Sequence, residues 1–569
     1  MAPGSKAGWR LDEKITFASE RDMPPLAVSL GTMLVNKTGT WRYMRPVYED
    51  KTPPCNHACP AGEKIQAYLE LSKAGEFGRA WELIMEDNPL PSVCGRVCYH
   101  PCEQACNRSN FDEPLAIHHV ERFLGDYGLR KNLKVKREAA RSERVAVVGA
   151  GPAGLSCAYH LARKGYAVTI YEAQPVAGGM LAVGIPRYRL PRDILEKEIA
   201  NICSLGVEIK TGIRIGLDIA LDDLSGYQAV FIATGQHQST RLDIPGQEAR
   251  GVVYGLDLLR DLNLGRSVEM GRRVAVIGGG NTAMDAARSA VRQGARVTVV
   301  YRRSREEMPA IPEEIREAEE EGIQFLYLSA PKRVLVKNAA VGGLECLKMR
   351  LGEPDQSGRR RPIPVDGTEF ILDVDTVIGA IGQEADLSFL PSGIATDRGG
   401  IQIDDHGVTT RPGTFSGGDV ATGAGTVTAA IGSGKKAALA IHSYLSGEEM
   451  EEAFEPRVVA YEEINLDYFE TAARPVMPRR QITERLAGFA EVVLGYTEAA
   501  TLTEAQRCFS CGVCNHCDTC WLFCPDVAIA KVNHRDYLIN YDYCKGCGVC
   551  VEECPRSAIS MEEEMKWKK

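Results

Sequence analysis

The residues of this chain best suited to chemistry are its cysteines, 19 among 569 residues. Six lie between Cys55 and Cys106 and ten between Cys508 and Cys554, which leaves Cys157, Cys203 and Cys346 scattered in the middle. Such clustering, without a signal-peptide pattern at the start, points to metal or redox chemistry rather than disulfides. Cys514, Cys517, Cys520 and Cys524 form C-x2-C-x2-C-x3-C ahead of Pro525, and Cys544, Cys547, Cys550 and Cys554 repeat it ahead of Pro555. In two-cluster bacterial ferredoxins this spacing gives three thiolates to one [4Fe–4S] cube and the fourth to the other. It predicts one cluster on Cys514, Cys517, Cys520 and Cys554, and a second on Cys524, Cys544, Cys547 and Cys550. Zinc prefers C-x2-C pairs at longer separation and fits poorly. The amino-terminal set is looser: Cys55, Cys59, Cys94, Cys98, Cys102 and Cys106, the last four joined by three C-x3-C steps. There zinc or structural thiols stay as rivals. Cys508 and Cys511 remain, in RCFSCG. Six and ten make sixteen, enough for four clusters of four thiolates.

A second kind of chemistry is written in glycine. Gly149-Ala-Gly151-Pro152-Ala153-Gly154 follows the apolar run Val145–Val148, opens a helical pattern, and is followed by Glu172, 23 residues after Gly149. These are the parts of a dinucleotide fingerprint: glycines let the pyrophosphate approach backbone N–H groups, and the acid meets a ribose. The turn recurs as Gly278-Gly-Gly280-Asn281-Thr282 after VAVI, but there Tyr301 stands in place of Glu172, with Arg302 and Arg303 behind it. Guanidiniums suit a 2′-phosphate, so the second site is expected to prefer NADPH over NADH.

Two nucleotide sites could hold two pyridine nucleotides or FAD plus one, and two further motifs favour FAD. AVFIATG ends at Gly235 and DTVIGAIG repeats the pattern, as strand-to-turn crossings of a flavin reductase with an inserted nucleotide domain. Gly418 and Asp419 then precede a helix start near Val427, where Asp419 would bond the ribitol and helix N–H groups would face the N1/O2 edge. Cys157, Cys203 and Cys346 make no C-x2-C or C-x4-C pair, so electrons are expected to leave the flavin through iron–sulfur clusters.

These residues need elements to position them. The expected class is α/β, with two Rossmann-like domains. The reading along the chain is an arm at 1–54, a helical Fe–S domain at 55–138, FAD domain halves at 139–270 and 376–450 around an NADP(H) domain at 271–375, a connector at 451–500 and an α+β ferredoxin-like domain at 501–569. The run EEIREAEEEG at 313–322 reads as a solvated helical face. Composition is ordinary for a globular protein, and a net charge of −9 argues against nucleic-acid binding. No apolar run is long enough to span a bilayer, and the chain reads as cytoplasmic.

GRVCYHPCEQAC, VVGAGPAGLSCAYHLARKGYAVTIYEA, GGMLAVGIPRYRLP, GGGNTAMDAAR and YRRSREEMPA resemble the small subunit of NADPH-dependent glutamate synthase and the matching part of dihydropyrimidine dehydrogenase, over about 55–445. The resemblance implies an N-terminal Fe–S helical domain, an FAD domain and an inserted NADPH domain. It assigns Gly149, Gly151, Gly154, Glu172, Gly179, Leu181 and Asp419 to FAD, and Gly280, Asn281, Arg302 and Arg303 to NADPH. Cys55 with Cys106, and Cys59 with Cys98 and Cys102, map to two clusters. The family's RCxxCG pair before the position of Cys55 is missing here, and an RCxxCG stands instead at 507–512. The expectation is that Cys508 and Cys511 complete the cluster of Cys55 and Cys106, and that Cys94, with Glu121 as rival, completes the other.

The functional expectation is an NADP(H)-linked electron-transfer flavoprotein. It passes electrons between NADP(H), FAD and [4Fe–4S] clusters to or from a partner oxidoreductase, such as a 2-oxoacid:ferredoxin oxidoreductase, or ferredoxin. Hydride transfer requires no catalytic side-chain nucleophile or base. The alternatives are a stand-alone ferredoxin:NADP oxidoreductase, a glutamate synthase small subunit and a non-catalytic electron-carrying subunit. A hetero-oligomeric complex is expected.

Overall fold

The computed structural model describes residues 18–22, 36–355, 358–423, 425–450, 456–532 and 536–564. Most of the arm expected at 1–54, and residues 451–455 of the connector, lie outside them. The chain divides into two compact units.

The larger unit comprises Pro53–Pro456 and Thr471–Cys508. It holds two five-stranded parallel sheets. The first runs Thr414–Ser416, Ala229–Ile232, Arg144–Val148, Ala167–Glu172 and Glu208–Thr211 in spatial order. Its central strands are apolar on both faces, as helices on both sides require. The helix Pro152–Arg163 follows the first strand, and Val427–Ser446 packs on it so closely that a Cβ on Gly434 would lie 2.2 Å from the Ala153 carbonyl oxygen. The second sheet runs Gln324–Leu326, Arg296–Val300, Arg273–Ile277, Thr376–Gly379 and Val252–Tyr254. It thus draws strands from outside 271–375: residues 376–379, read from sequence as flavin-domain chain, pair with Arg273–Ile277. An antiparallel sheet, Ser329–Lys337, Ala340–Pro354, Arg360–Pro364 and Phe370–Leu372, is inserted beside it.

The helical region begins with Pro54–Ala58. Two helices follow, Ile65–Lys73 and Phe77–Ile84, separated at Gly75, whose φ of 75° ends the first. Helices Pro91–Val97 and Ile117–Lys131 touch backbone to backbone through Gly95 and Gly125.

The acidic run at 313–322 corrects the sequence reading. In and just after the helix Pro312–Glu320, Glu317 and Glu321 are buried, and Arg288, itself 0% exposed, pairs with Glu314, Glu317 and Glu321. The segment 471–508 is likewise a strap more than a loose connector. Arg485 binds Glu320, Arg474 binds Glu103, Glu491 receives Arg96 and Arg122, and the Val492 N–H donates to the Tyr188 carbonyl.

The smaller unit comprises Met1–Thr52, Arg457–Glu470 and Phe509–Lys569. Met44–Tyr48, read from sequence as arm, pairs antiparallel with Ile559–Glu563, so this stretch is a strand of the cysteine-rich tail. The tail carries an internal repeat: the hairpin Ile529–Val532 with Asp536–Ile539, and short helices Thr519–Leu522 and Val549–Glu552. Among the described residues no helix is long and apolar enough to cross a membrane.

Candidate active site

The site grows from the first glycine turn. Gly149 has φ 106°, and a Cβ on it would lie 2.4 Å from the Ala233 carbonyl oxygen. Gly151 caps the helix Pro152–Arg163, and Gly179, at φ 53°, leaves no room for a side chain against it. Glu172 ends its strand buried, its two oxygens accepting from the Ala150 and Gln174 N–H groups, each at 2.7 Å. Burial raises its pKa against those two bonds. Gly235, Gly418, Asp419 and Val427 stand around the same space, and Asp419 accepts from the Gly425 N–H at 3.2 Å.

Together these residues line a cavity of about 550 Å³. Pro152 and Ala153 line it, Gly154 packs behind the turn, and Leu181 is buried in the core where the neighbouring Met180 reaches the wall. The far wall comes from the second nucleotide unit: Asn281, Thr282, Asp285, Ile311 and Gln383. Asn281 is fixed by accepting from the Ile311 N–H. Gly278, at φ 143°, and Gly280, the cap of Asn281–Arg292, form the turn behind them. One space therefore serves both glycine turns, as hydride transfer between two bound nucleotides requires.

The cavity fits a flavin dinucleotide on its own chemistry. Its backbone turns admit a pyrophosphate, Glu172 and Asp419 offer buried acceptors, and the Thr234 hydroxyl and His237 Nδ1 are buried without hydrogen-bond partners. Burial, with Arg260 and Arg214 nearby, lowers His237 to about 4, so the ring is neutral at pH 7. Sequence reasoning missed His237, Gln383, Tyr99, Arg189 and Asp285. The last three sat in quoted motifs, GRVCYHPCEQAC, RYRLP and GGGNTAMD. Arg189 bonds Asp285 and Glu314 at 2.8 Å each, and burial pushes Asp285 up to about 6 against that pull.

Arg302 and Arg303 do not line this cavity. Arg302 is exposed at the end of Arg296–Val300, while Arg303 is buried and bonded to Asp355 and the Arg360 carbonyl.

The amino-terminal cysteines reach the cavity. Val97 and Tyr99 are in its wall, and Cys98 between them lies 3.5 Å from the Thr428 hydroxyl at the start of Val427–Ser446. Cys59, Cys98 and Cys102 crowd around Glu121, and Asn88 bridges Glu121 and Glu63 at 2.9 and 2.8 Å. Cys94 is wholly buried and turned toward the Asn88 side-chain oxygen. Cys508 packs against the cluster that contains Cys55, Cys102 and Cys106. Burial raises Cys59, Cys94, Cys102 and Cys106, and Cys98 to about 12, so thiolates here need a cation.

A neighbouring cavity of about 430 Å³ holds His100, Glu103, His118 and His119. His100 and His118 stack face to face at 3.6 Å, and Glu103 is taken by His118 and Arg474. The ligand atoms of His100, Glu103 and His118 lie within 4.8 Å of one another, close enough to hold a metal ion, with Glu103 also committed to Arg474.

In the smaller unit, Cys514, Cys517, Cys520 and Cys554 line one hollow, and Cys524, Cys544, Cys547 and Cys550 another. The Ala528 and Ala558 N–H groups donate to Cys524 and Cys554 sulfur at 3.2 and 3.4 Å, one from each repeat, and Tyr48 lies 3.2 Å from Cys520 sulfur. Four thiols converge in each hollow, the donor set of an iron–sulfur cube. Cys511 is buried in this unit. Cys157 and Cys346 are buried singly, with Cys203 half-buried.

These features define a flavin- and pyridine-nucleotide-dependent oxidoreductase with iron–sulfur domains. The chain belongs to the pyridine nucleotide-disulphide oxidoreductase family, whose model matches residues 143–434. The dihydropyrimidine dehydrogenase domain II, 4Fe-4S cluster model matches residues 47–133, and a 4Fe-4S binding domain matches 537–560. FAD, NADP(H) and [4Fe–4S] clusters are its cofactors. It is 45% identical to the beta subunit of an NADP(+)-dependent formate dehydrogenase from Moorella thermoacetica, over 81% of this chain and 70% of that one. It is 41% identical to the beta subunit of an NADPH-Fe(3+) oxidoreductase from Geobacter sulfurreducens, over 81% and 75%. It is 36% identical to the small chain of NADPH glutamate synthase from Escherichia coli, over 69% and 89%.

Proposed function

We propose that the chain is the NADP(H)-linked electron module of a cytoplasmic hetero-oligomeric complex, exchanging electrons with a partner oxidoreductase. The carrying observation is the shared cavity, whose wall includes the first glycine turn, Asn281 and Thr282 just after the second, and the neighbours of Cys98. Bound there, FAD supplies the conversion between hydride and single electrons that NADP(H) and iron–sulfur clusters need. The chain orients and excludes water. The turns at Gly149–Gly154 and Gly278–Asn281 seat two pyrophosphates, and Gln383 and Asn281 border the space between them. The N–H groups at Val427 stabilise negative charge on the group that meets them. Cys55, Cys59, Cys98, Cys102, Cys106 and Cys508, with Cys94 or Glu121, are proposed as ligands of two clusters, and the eight tail cysteines as ligands of two more. An intact Asn281–Thr282–Gln383 wall counts against a non-catalytic carrier.

The partner reading favours a complex because two relatives are named as beta subunits. A formate dehydrogenase catalytic subunit and a 2-oxoacid:ferredoxin oxidoreductase are the partner classes to separate. The test is anaerobic purification from the native cells. A stoichiometric second enzyme that reduces NADP+ with its own substrate supports the module. A homo-oligomer that works with ferredoxin alone makes the protein a free-standing ferredoxin:NADP oxidoreductase and overturns it.

A further inference from the structure

We infer that the 2′-phosphate of NADP(H) is read by Arg302 together with Arg360, a residue on the inserted hairpin, and that Arg303 is a positioning residue. The inference rests on the NADP(H) reading above. In a dinucleotide fold the ribose 2′ substituent is met at the end of the second strand, beside the glycine turn. Here that place is occupied by the loop 301–311. It lies on the turn: the Tyr301 ring fills the space where a Cβ of Gly279 would sit, the Ala310 N–H donates to the Gly279 carbonyl, and the Ile311 N–H donates to Asn281.

A phosphate dianion needs guanidinium N–H groups that are free and reachable. Arg303 offers neither. Its side chain is 4% exposed, its Nε donates to the Arg360 carbonyl at 2.7 Å, and its Nη2 donates to Asp355 at 2.5 Å. Arg302, next to it, is exposed and has no hydrogen bond or ion pair among the described residues. Arg360 is brought to the same loop by the bonds of Arg303. It returns one, from Nε to Glu307 at 2.5 Å, and its side chain stays 51% exposed. Glu307 is fixed in turn by the Ser304 N–H at 3.1 Å. The far edge of the Arg360 guanidinium is therefore available, and its near edge is anchored. Arg303 and Asp355 hold the hairpin Ala340–Pro354 with Arg360–Pro364 against the nucleotide loop. The sequence alone gave both guanidiniums of the Arg302-Arg303 pair the same role because burial distinguishes them and spacing does not.

The experiment is calorimetric titration of the flavin- and cluster-loaded protein with 2′,5′-ADP and with 5′-AMP, which differ only in the 2′-phosphate. Arg302→Ala and Arg360→Ala are each expected to weaken 2′,5′-ADP about tenfold or more and to leave 5′-AMP within twofold, as loss of a charge-assisted contact predicts. Asp355→Asn, which keeps every arginine and cuts the tether, is expected to weaken 2′,5′-ADP by a smaller factor. Arg303→Lys is expected to behave like Asp355→Asn. An Arg360→Ala variant with unchanged 2′,5′-ADP affinity, or an Arg303→Lys variant with the largest loss, overturns the assignment. A wild-type protein that binds the two ligands equally overturns the NADP(H) preference itself.

Discussion

A buried carboxyl outside the cofactor sites shows how single residues set the conditions under which the fold holds. Glu198 accepts from the Ser92 and Val93 N–H groups at 2.7 and 3.0 Å, tying the helix Arg192–Cys203 to the start of the helix that carries Cys94 and Cys98. Burial pushes it up to about 8 against the pull of those bonds. A carboxyl whose folded pKa is raised binds its proton more tightly in the folded state, so its contribution is complete below the unfolded value near 4.3 and is lost as pH rises through 8. Stability should therefore fall between those limits by up to about 1.4 kcal/mol for each pH unit. Glu198→Gln cannot ionise. Its thermal midpoint is expected to be lower than wild type at pH 6 and to fall less between pH 6 and 9. A slope equal to that of wild type would show that Glu198 does not titrate in this window.

At the scale of elements, the tail is two copies of one loop–helix unit that exchange their last cysteine. The hollows support exchanged ligation: Cys554 lines the one with Cys514, Cys517 and Cys520, and Cys524 the one with Cys544, Cys547 and Cys550. Pairs of substitutions separate exchanged from sequential ligation. Cys554→Ser with Cys517→Ser should remove one cluster, about 4 Fe per chain, whereas Cys554→Ser with Cys547→Ser should remove about 8. Reversed iron losses would mean that each run serves its own cluster. This arrangement was legible in the sequence because thiolate spacing is fixed by the cube, and both glycine turns were legible because a close backbone approach admits no side chain. The buried face of Pro312–Glu320 was not legible, since the cations that neutralise it, Arg288 and Arg292, come from another helix. Nor were the strands Met44–Tyr48 and Thr376–Gly379, whose partners lie 102 to 519 residues away along the chain. Arg303 escaped for the same reason: its partner Asp355 sits on an inserted hairpin.

For the molecule as a whole, the question is how many redox centres one chain carries. Sixteen of the 19 cysteines fall in two dense sets, and the other three are separate, with Cys157 and Cys346 in apolar cores. Eight of the sixteen account for two tail cubes. The other eight are Cys55, Cys59, Cys94, Cys98, Cys102, Cys106, Cys508 and Cys511. Buried thiols raised as these are gain nothing from staying together without metal, because each thiolate would face its neighbours in a low-dielectric interior. A chain that keeps them clustered is best explained by two further cubes, with Glu121 able to replace Cys94 as a ligand without changing the iron count. The fully loaded protein, purified anaerobically, is thus expected to contain about 16 Fe and 16 acid-labile sulfides for each FAD. A Cys508→Ser variant should lose about 4 Fe while keeping the tail clusters' EPR signals. Wild-type protein with about 12 or 8 Fe per FAD would sink the four-cluster account and leave part of the amino-terminal set as structural thiols.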